Sequence, residues 1–262
     1  MSKEIPKYEF GDDYLVYCAM YILGIKPGTF AHLFLNEKVR ESGDREIIIE
    51  NCMGHRYIGS GMDGVHIMVH GMPGNALGAY LNGADITVMG NAQDATGDTM
   101  NEGRIIIHGS CGDATGYAMR GGCIYVEKDA GYRAGIHMKA YQNKLPVLVI
   151  GGCAGSFLGE YQAGGLIVVL GLGREPGQPL VGNFCATGMH GGKILLRGDA
   201  PKDLSPQVLS APATEADMAQ IEPHLETYAA HFGISVQRIK QKAFTVLTPD
   251  TKNPYKQLYT HN

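Results

Sequence analysis

The sequence predicts an all-β fold, a single-stranded right-handed parallel β-helix of about seven to eight coils flanked by caps. Three observations predict it. Short β-branched segments recur at a near-constant period, glycines mark the corners between them, and the gaps are too short for a helical crossover. The segments VHIMVHG (65–71), ADITVMG (84–90) and RIIIHG (104–109) end on Gly71, Gly90 and Gly109, each 19 residues after the last. GCIYVE (122–127), PVLVIG (146–151), LIVVLG (166–171) and KILLRG (193–198) continue the series, and EIIIE (46–50) opens it.

The linkers repeat as well. Gly74 and Gly78, Gly112 and Gly116, Gly131 and Gly135, and Gly155 and Gly159 each frame a G-x-x-x-G, and Gly97, Gly188 and Gly191 fall in related turns. Strands of four to six residues are too short to stand alone, and a βαβ unit needs a connection of a dozen or more residues. Stacked coils solve this, with strands ~4.8 Å apart. Glycine suits sharp corners because it takes positive φ without the cost of a Cβ. Inward positions need small or branched fillers, a role assigned to Ala92, Ala95, Ala114, Ala118, Ala163 and the strand Val and Ile residues. A β-sandwich or propeller fits less well, since its hairpins use short Asn-Gly or Asp-Gly turns.

The hexamer GSGMDG (59–64) satisfies G-x-G-x-x-G, the dinucleotide fingerprint, with Asp85 downstream. That motif works only where a helix follows and its N-terminus holds the pyrophosphate. Here Gly64 runs into Val65, Ile67 and Val69, an alternating strand, so the match belongs to the repeat. GLGREPG (171–177) has proline at the third glycine and reads as a protruding loop.

Glycine, at 37 of 262 residues, is about twice its usual share, and a net charge of −4 gives no footprint for nucleic acid or a membrane surface. No apolar signal core opens the chain, and Tyr14–Ile25 is too short to span a bilayer, so a cytoplasmic location is expected. Six scattered cysteines form no C-x-x-C and read as reduced, half-buried small hydrophobes. His66, His70 and His108 lie in strands. His70 and His108 sit two coils apart with Met89 between, too far for a shared zinc, and a histidine ladder on a solvated or subunit-contacting face is expected. Ser110, Cys111 and Cys153 lie near glycines without an activating partner. No catalytic, cofactor-binding or metal residue is assigned; the glycines named above are structural.

Three regions follow: an N-terminal capping segment (1–45), the glycine-rich β-helix (46–200) and a C-terminal helical tail (201–262). The apolar Tyr14–Ile25 stretch would cover one end. In the tail, Thr214 caps a helix bearing Met218 and Ile221, which Pro223 breaks or restarts at Glu222. Leu225, Tyr228, Ala229 and Phe232 continue a stripe that Gly233 ends, and Ser235 starts another helix with Val236, Ile239 and Phe244. These helices would pack on the solenoid or dock a partner.

The stretches GMPGNALGAY (71–80), GNAQDATG (90–97) and VGNFCATGMHGG (181–192) resemble the GXGXG domain that forms the C-terminal part of the glutamate synthase large subunit. The likeness covers roughly residues 45–200, and NPYKQLY (253–259) resembles the domain's tail more loosely. In that family a glutaminase domain has an N-terminal cysteine, an FMN and iron–sulfur domain makes glutamate, and the β-helix is structural. Residue 2 here is Ser2. The resemblance therefore implies a separately encoded, non-catalytic β-helix subunit. It would brace a glutaminase (amidotransferase) subunit and an FMN-binding synthase subunit that make glutamate from glutamine and 2-oxoglutarate. FMN and iron–sulfur clusters are expected in those partners and no cofactor in this chain. Homo-oligomerisation through coil faces or ends is compatible with the sequence.

Related complexes share the repeat: an N-methylglutamate synthase of similar split arrangement and the C subunit of formylmethanofuran dehydrogenase. A polysaccharide-acting β-helix enzyme is the catalytic alternative. It would draw on Asp94, Asp98, Glu102 and Asp113, although these fall mainly in corners and the chain has no Trp.

Overall fold

A computed structural model describes residues 7–9 and 31–250. The elements are β1 (Lys7–Glu9), α1 (Ala31–Ser42), β2 (Glu46–Met53), β3 (His66–Met72), β4 (Asn82–Met89), β5 (Glu102–Ile107), β6 (Cys123–Val126) and β7 (Val147–Ile150). They continue with β8 (Ala163–Val169), β9 (Gly191–Arg197), β10 (Val208–Pro212), α2 (Glu215–Phe232), α3 (Val236–Lys240) and β11 (Phe244–Pro249). All the strands join one sheet in the order β1 to β9, then β11, then β10. From β2 to β9 each strand is parallel to the next, giving a parallel β-solenoid of about seven turns.

The register stacks like on like. One inward row runs from Ile47 through Ile67, Ile86, Ile105, Ile124, Leu148 and Ile167 to Ile194; a second runs from Ile49 to Leu196. Every member is buried. Burying such a side chain stabilises by ~1.5–3 kcal/mol, so the rows set the register: a one-residue slip would turn them all to the other face.

Across this thin core stands a second wall, built of turns. In each coil three alternate residues take left-handed backbone, as in Ala76, Gly78 and Tyr80, then Ala95, Gly97 and Thr99. Except in the last coil, where Ala186 takes the place, the middle one is glycine: a Cβ on Gly78 would lie 2.6 Å from Ile105 Cδ1, and on Gly97 2.4 Å from Ile124 Cδ1. The strand wall thus reaches the turn wall with one side chain. The row that fills the gap beside these turns is Met62, Leu81, Met100, Met119, Met138, Gln162 and Met189, all buried. Ala92 is buried as expected, but Ala95, Ala114 and Ala118 are half-buried and Ala163 is exposed. Ala95, Ala114 and Ala118 hold left-handed turn positions, which other coils give to exposed bulky residues, and methionine, flexible and unbranched, fills the gap instead.

Both ends are covered. At the first coil, β1 pairs with β2, and α1 seats buried Leu35 and Val39. Asn36 Oδ1 there accepts a hydrogen bond from Gly59 N (2.9 Å), and Asn36 Nδ2 donates to the Tyr57 carbonyl. The expected role of Tyr14–Ile25 lies outside the described residues.

At the other end the tail departs from the sequence reading in two places. Helix α2 starts at the Thr214 cap, whose hydroxyl accepts from Asp217 N while the Asp217 carboxylate accepts from Thr214 N. It then runs unbroken through Pro223 to the left-handed Gly233. Pro223 and Ala219, whose carbonyl loses its helical donor, are both exposed, so water can serve that carbonyl. Second, α3, capped by Ser235, stops at Lys240, and Phe244 opens a strand rather than extending a helix. That strand, β11, runs antiparallel to β9 and carries β10 on its other side.

Helices α2 and α3 cover the outer face of the later coils. Ile221, Leu225, Tyr228 and Ile239 form one buried cluster with Ile106, Tyr125, Val149, Val168 and Leu195 of the sheet. Lys193 Nζ to Asp217 (2.5 Å) and Arg197 Nε to the Ile239 carbonyl (2.5 Å) fasten the polar margin. Among the described residues no helix is long and apolar enough to cross a membrane.

Candidate docking surfaces

Helices α2 and α3 stop short of the first coils, and there the described residues leave the outer sheet face uncovered. Along the row Ile48, Met68, Thr87 and Ile106, Met68 is 39% exposed while Ile106 lies beneath the helices at 3%. Beside it Met53 is 74%, Met72 43% and Met89 44% exposed. These side chains are flexible and polarizable, suited to a partner's relief. The rim is polar: Asp85 takes Arg104 at 2.8 Å and His66 at 3.6 Å.

The second uncovered surface is the outside of the turn wall, across the core from the first. Bulky side chains there occupy left-handed positions, including Tyr80, Arg133, His137, Phe157, Tyr161 and Phe184. That backbone is rarely given to a bulky residue. Two ladders result. Arg133 lies over the Phe157 ring at 5.0 Å while its Nε meets Glu160 at 3.1 Å, and Phe157 stacks on Phe184 at 5.0 Å. Tyr117 meets His137 edge-on at 5.8 Å, and His137 stacks on Tyr161 at 5.3 Å. Tyr80, Tyr132, Tyr161 and Phe184 are all exposed.

Residues of chemical interest are occupied by the scaffold. GSGMDG lies in the first left-handed turn, before strand β3. Asp94 Oδ1 accepts from Asp113 N (2.9 Å), Asp113 Oδ1 from Tyr132 N (2.8 Å) and Asp129 Oδ1 from Cys153 N (2.6 Å), tying coil to coil. Asp98 binds the Thr99 hydroxyl and Glu102 binds Lys144 (2.7 Å). The candidate carboxylates therefore face different partners and do not converge.

His70 stands beside Met89 in register, and His66 pairs with Asp85. His108 packs edge-on against Phe232 of α2 at 5.1 Å, an intramolecular contact rather than part of a free ladder. Burial pushes the Cys111 and Cys185 thiols up to about 12 and Cys52 to about 11, and raises Cys123 and Cys153 too. None is an activated thiolate. Among the described residues no group of three or more His, Cys, Asp or Glu is placed to hold a metal ion. A cleft of about 300 Å³ between 174–183 and 199–203 is lined by Arg174, Lys202, Asp199 and Asp203, with charges balanced.

The glycines named from the sequence divide in two. Gly71, Gly78, Gly97, Gly116, Gly135, Gly159 and Gly188 have positive φ. Gly74, Gly90, Gly109, Gly112, Gly131, Gly155 and Gly191 do not, and there the neighbouring coil leaves no room. A Cβ on Gly74 would lie 2.2 Å from the Gly54 carbonyl oxygen, and on Gly191 2.5 Å from that of Ala163. Close approach between coils is thus the second reason for glycine.

A family model described as the GXGXG motif matches residues 38–249. The chain belongs to the GXGXG motif family. This GXGXG chain is 43% identical over 241 residues to the uncharacterized protein MJ1350 of Methanocaldococcus jannaschii, covering 86% of this chain and 92% of that one. Among solved structures it is similar to a chain of the formyltransferase/hydrolase complex FhcABCD from Methylorubrum extorquens, crystallised with methylofuran. The TM-score is 0.59 at 21% identity, over 78% of the GXGXG chain and 72% of the other. That likeness concerns the fold.

The aromatic ladders and the methionine face escaped the sequence reading. Part of the signal was there: Tyr80 and Thr99 follow Gly61 by whole periods, but 133, 157 and 184 are separated by 24 and 27 residues, which hides their equivalence until the coils are aligned.

Proposed function

We propose that this chain is a non-catalytic structural subunit of a split glutamate synthase, holding a glutaminase subunit and an FMN and iron–sulfur synthase subunit in a fixed relation. The observation that carries the reading is the pair of apolar surfaces on opposite walls that the described residues leave uncovered. A brace must bind on two sides, and a stiff stack of coils keeps the two sides at a constant distance. Family membership supports the assignment to a multi-subunit enzyme, and the similar FhcABCD chain belongs to a complex as well.

In the proposed complex the partners supply ammonia release, flavin and clusters; this chain supplies geometry. The test is a tagged pull-down from native cells, with an absorption spectrum of the eluate and an assay of glutamine-dependent glutamate formation. A yellow-brown eluate that makes glutamate is the expected result. Replacing Met68 and Met89 by glutamate should release one partner from it. An eluate with a pterin-dependent formyl-transferring activity instead would refute the glutamate synthase assignment.

A further inference from the structure

The turn wall carries a charge feature beside its aromatic ladder. Arg120 N donates to the Met100 carbonyl and Lys139 N to the Met119 carbonyl, so Arg120 and Lys139 occupy equivalent places in consecutive coils. Their backbones are therefore ~4.8 Å apart. Both side chains are exposed, and among the described residues neither has an acidic partner. The acids at hand are taken: Glu102 by Lys144 and Glu160 by Arg133. Two like charges stacked without a counter-charge repel, and an anionic neighbour would relieve them.

Two to three residues earlier in the same coils stand Tyr117 and His137, and Tyr161 follows one coil on. His137 and Tyr161 hold left-handed backbone where other coils place Gly61, Ala118 and Gly188. Tyr161 also lies flat on Gly188, where a Cβ would come within 2.5 Å of its ring. The rings are thus fixed before any partner arrives, which lowers the ordering cost of contact.

We propose that this edge is the docking line for a carboxylate-bearing polypeptide segment of a partner subunit. The segment lies along the solenoid axis, its Asp or Glu side chains reach Arg120 and Lys139, and its apolar side chains cover the edges of Tyr117 and Tyr161. The inference rests on the reading of this chain as a subunit of a complex. Polypeptide is favoured over nucleic acid because His137 and Tyr161 stack on each other, leaving no open faces between them for bases.

The test treats the complex isolated through the full-length tagged chain with a zero-length carbodiimide, which joins a lysine amine to a carboxylate only where the two touch. The expected product is Lys139 linked to an Asp or Glu of another subunit. With Arg120→Glu and Lys139→Glu together, recovery of that subunit should fall roughly tenfold while the thermal midpoint of the isolated chain is unchanged. A link from Lys139 to a second copy of this chain overturns the proposal. So does an active glutamate synthase complex in which Lys139 is unlinked and the double variant behaves as wild type, and that outcome leaves the structural-subunit reading standing. A chain that elutes alone overturns both. A complex of different activity with Lys139 linked to a partner carboxylate upholds the docking line and removes the glutamate synthase assignment.

Discussion

Tyr228 of α2 donates its hydroxyl proton to the carbonyl of Glu127, 2.9 Å away and 101 residues earlier in the chain. The contact is made over Gly151, where a Cβ would lie 1.9 Å from the Tyr228 oxygen and 2.0 Å from the Glu127 oxygen. A glycine of the repeat thereby provides the seat for the helical tail. Tyr228→Phe should cost ~1 kcal/mol, the net value of one such bond. Gly151→Ala should cost more, because it displaces the ring as well. Urea unfolding followed by tail-selective proteolysis would rank the two variants, and equal stabilities would contradict this account.

The same tail should respond to mild acid. His224 Nδ1 lies 3.1 Å from the Tyr125 hydroxyl beneath α2, and burial holds its pKa below the ordinary 6.5. Above pH 6.5 folded and unfolded chains both carry a neutral ring, and the contribution is complete. Below it the unfolded chain takes up a proton that the folded chain resists, so stability falls with pH. The protection factors of amides 221–229 should fall as pH drops below about 6.5, and His224→Gln should flatten that dependence.

A second acid transition belongs to Asp217. The hydrogen bond from Lys193, helped by Thr214, holds its carboxyl down to about 2, below the ordinary 3.8. Its contribution is full above 3.8 and is lost as pH falls through about 2. Asp217→Asn should remove that part of the acid unfolding curve while leaving the His224-dependent part in place.

Cutting the inward row should be felt along the stack. Ile105 touches its counterparts in both neighbouring coils and fills the space over Gly78. Ile105→Ala should destabilise by ~2–5 kcal/mol, as large-to-small core changes do. Ile194→Ala, beside the antiparallel β11, provides the comparison, with thermal midpoints as the readout.

Thiol chemistry gives a further check. With Cys111 and Cys185 buried and their pKa pushed up to about 12, neither should react with iodoacetamide at pH 8 until the chain unfolds. Labelling during a urea titration should follow the global transition, and early labelling would mean that the core opens locally.

The solenoid was legible because its constraint is repeated. Each coil lies on the last at the same distance, so glycine returns at 71, 90 and 109, and β-branched residues return in strands that must stack. What was hidden is non-local or acts once. Phe244 sits at helical spacing from Val236, and nothing nearby says that it will pair with Arg197, 47 residues earlier. Pro223 has the local mark of a break, overridden by burial of Ile221 and Leu225 on the opposite side of the helix. The candidate surfaces were legible in composition alone: twelve methionines and 14 tyrosines are plain in the sequence, but not which of them the register turns outward.

The antiparallel closure has one more consequence. Successive parallel strands are a template that another molecule's first coil could extend, and an uncapped stack of this kind would tend to grow into fibres. β11 reverses the polarity of that template and β10 restores it, but β10, which takes the outermost place, is five residues long and ends on Pro212. Proline withholds the donor that a docking strand would need. A coil added at this end would therefore meet only a short edge strand that lacks one amide proton, which disfavours polymerisation there.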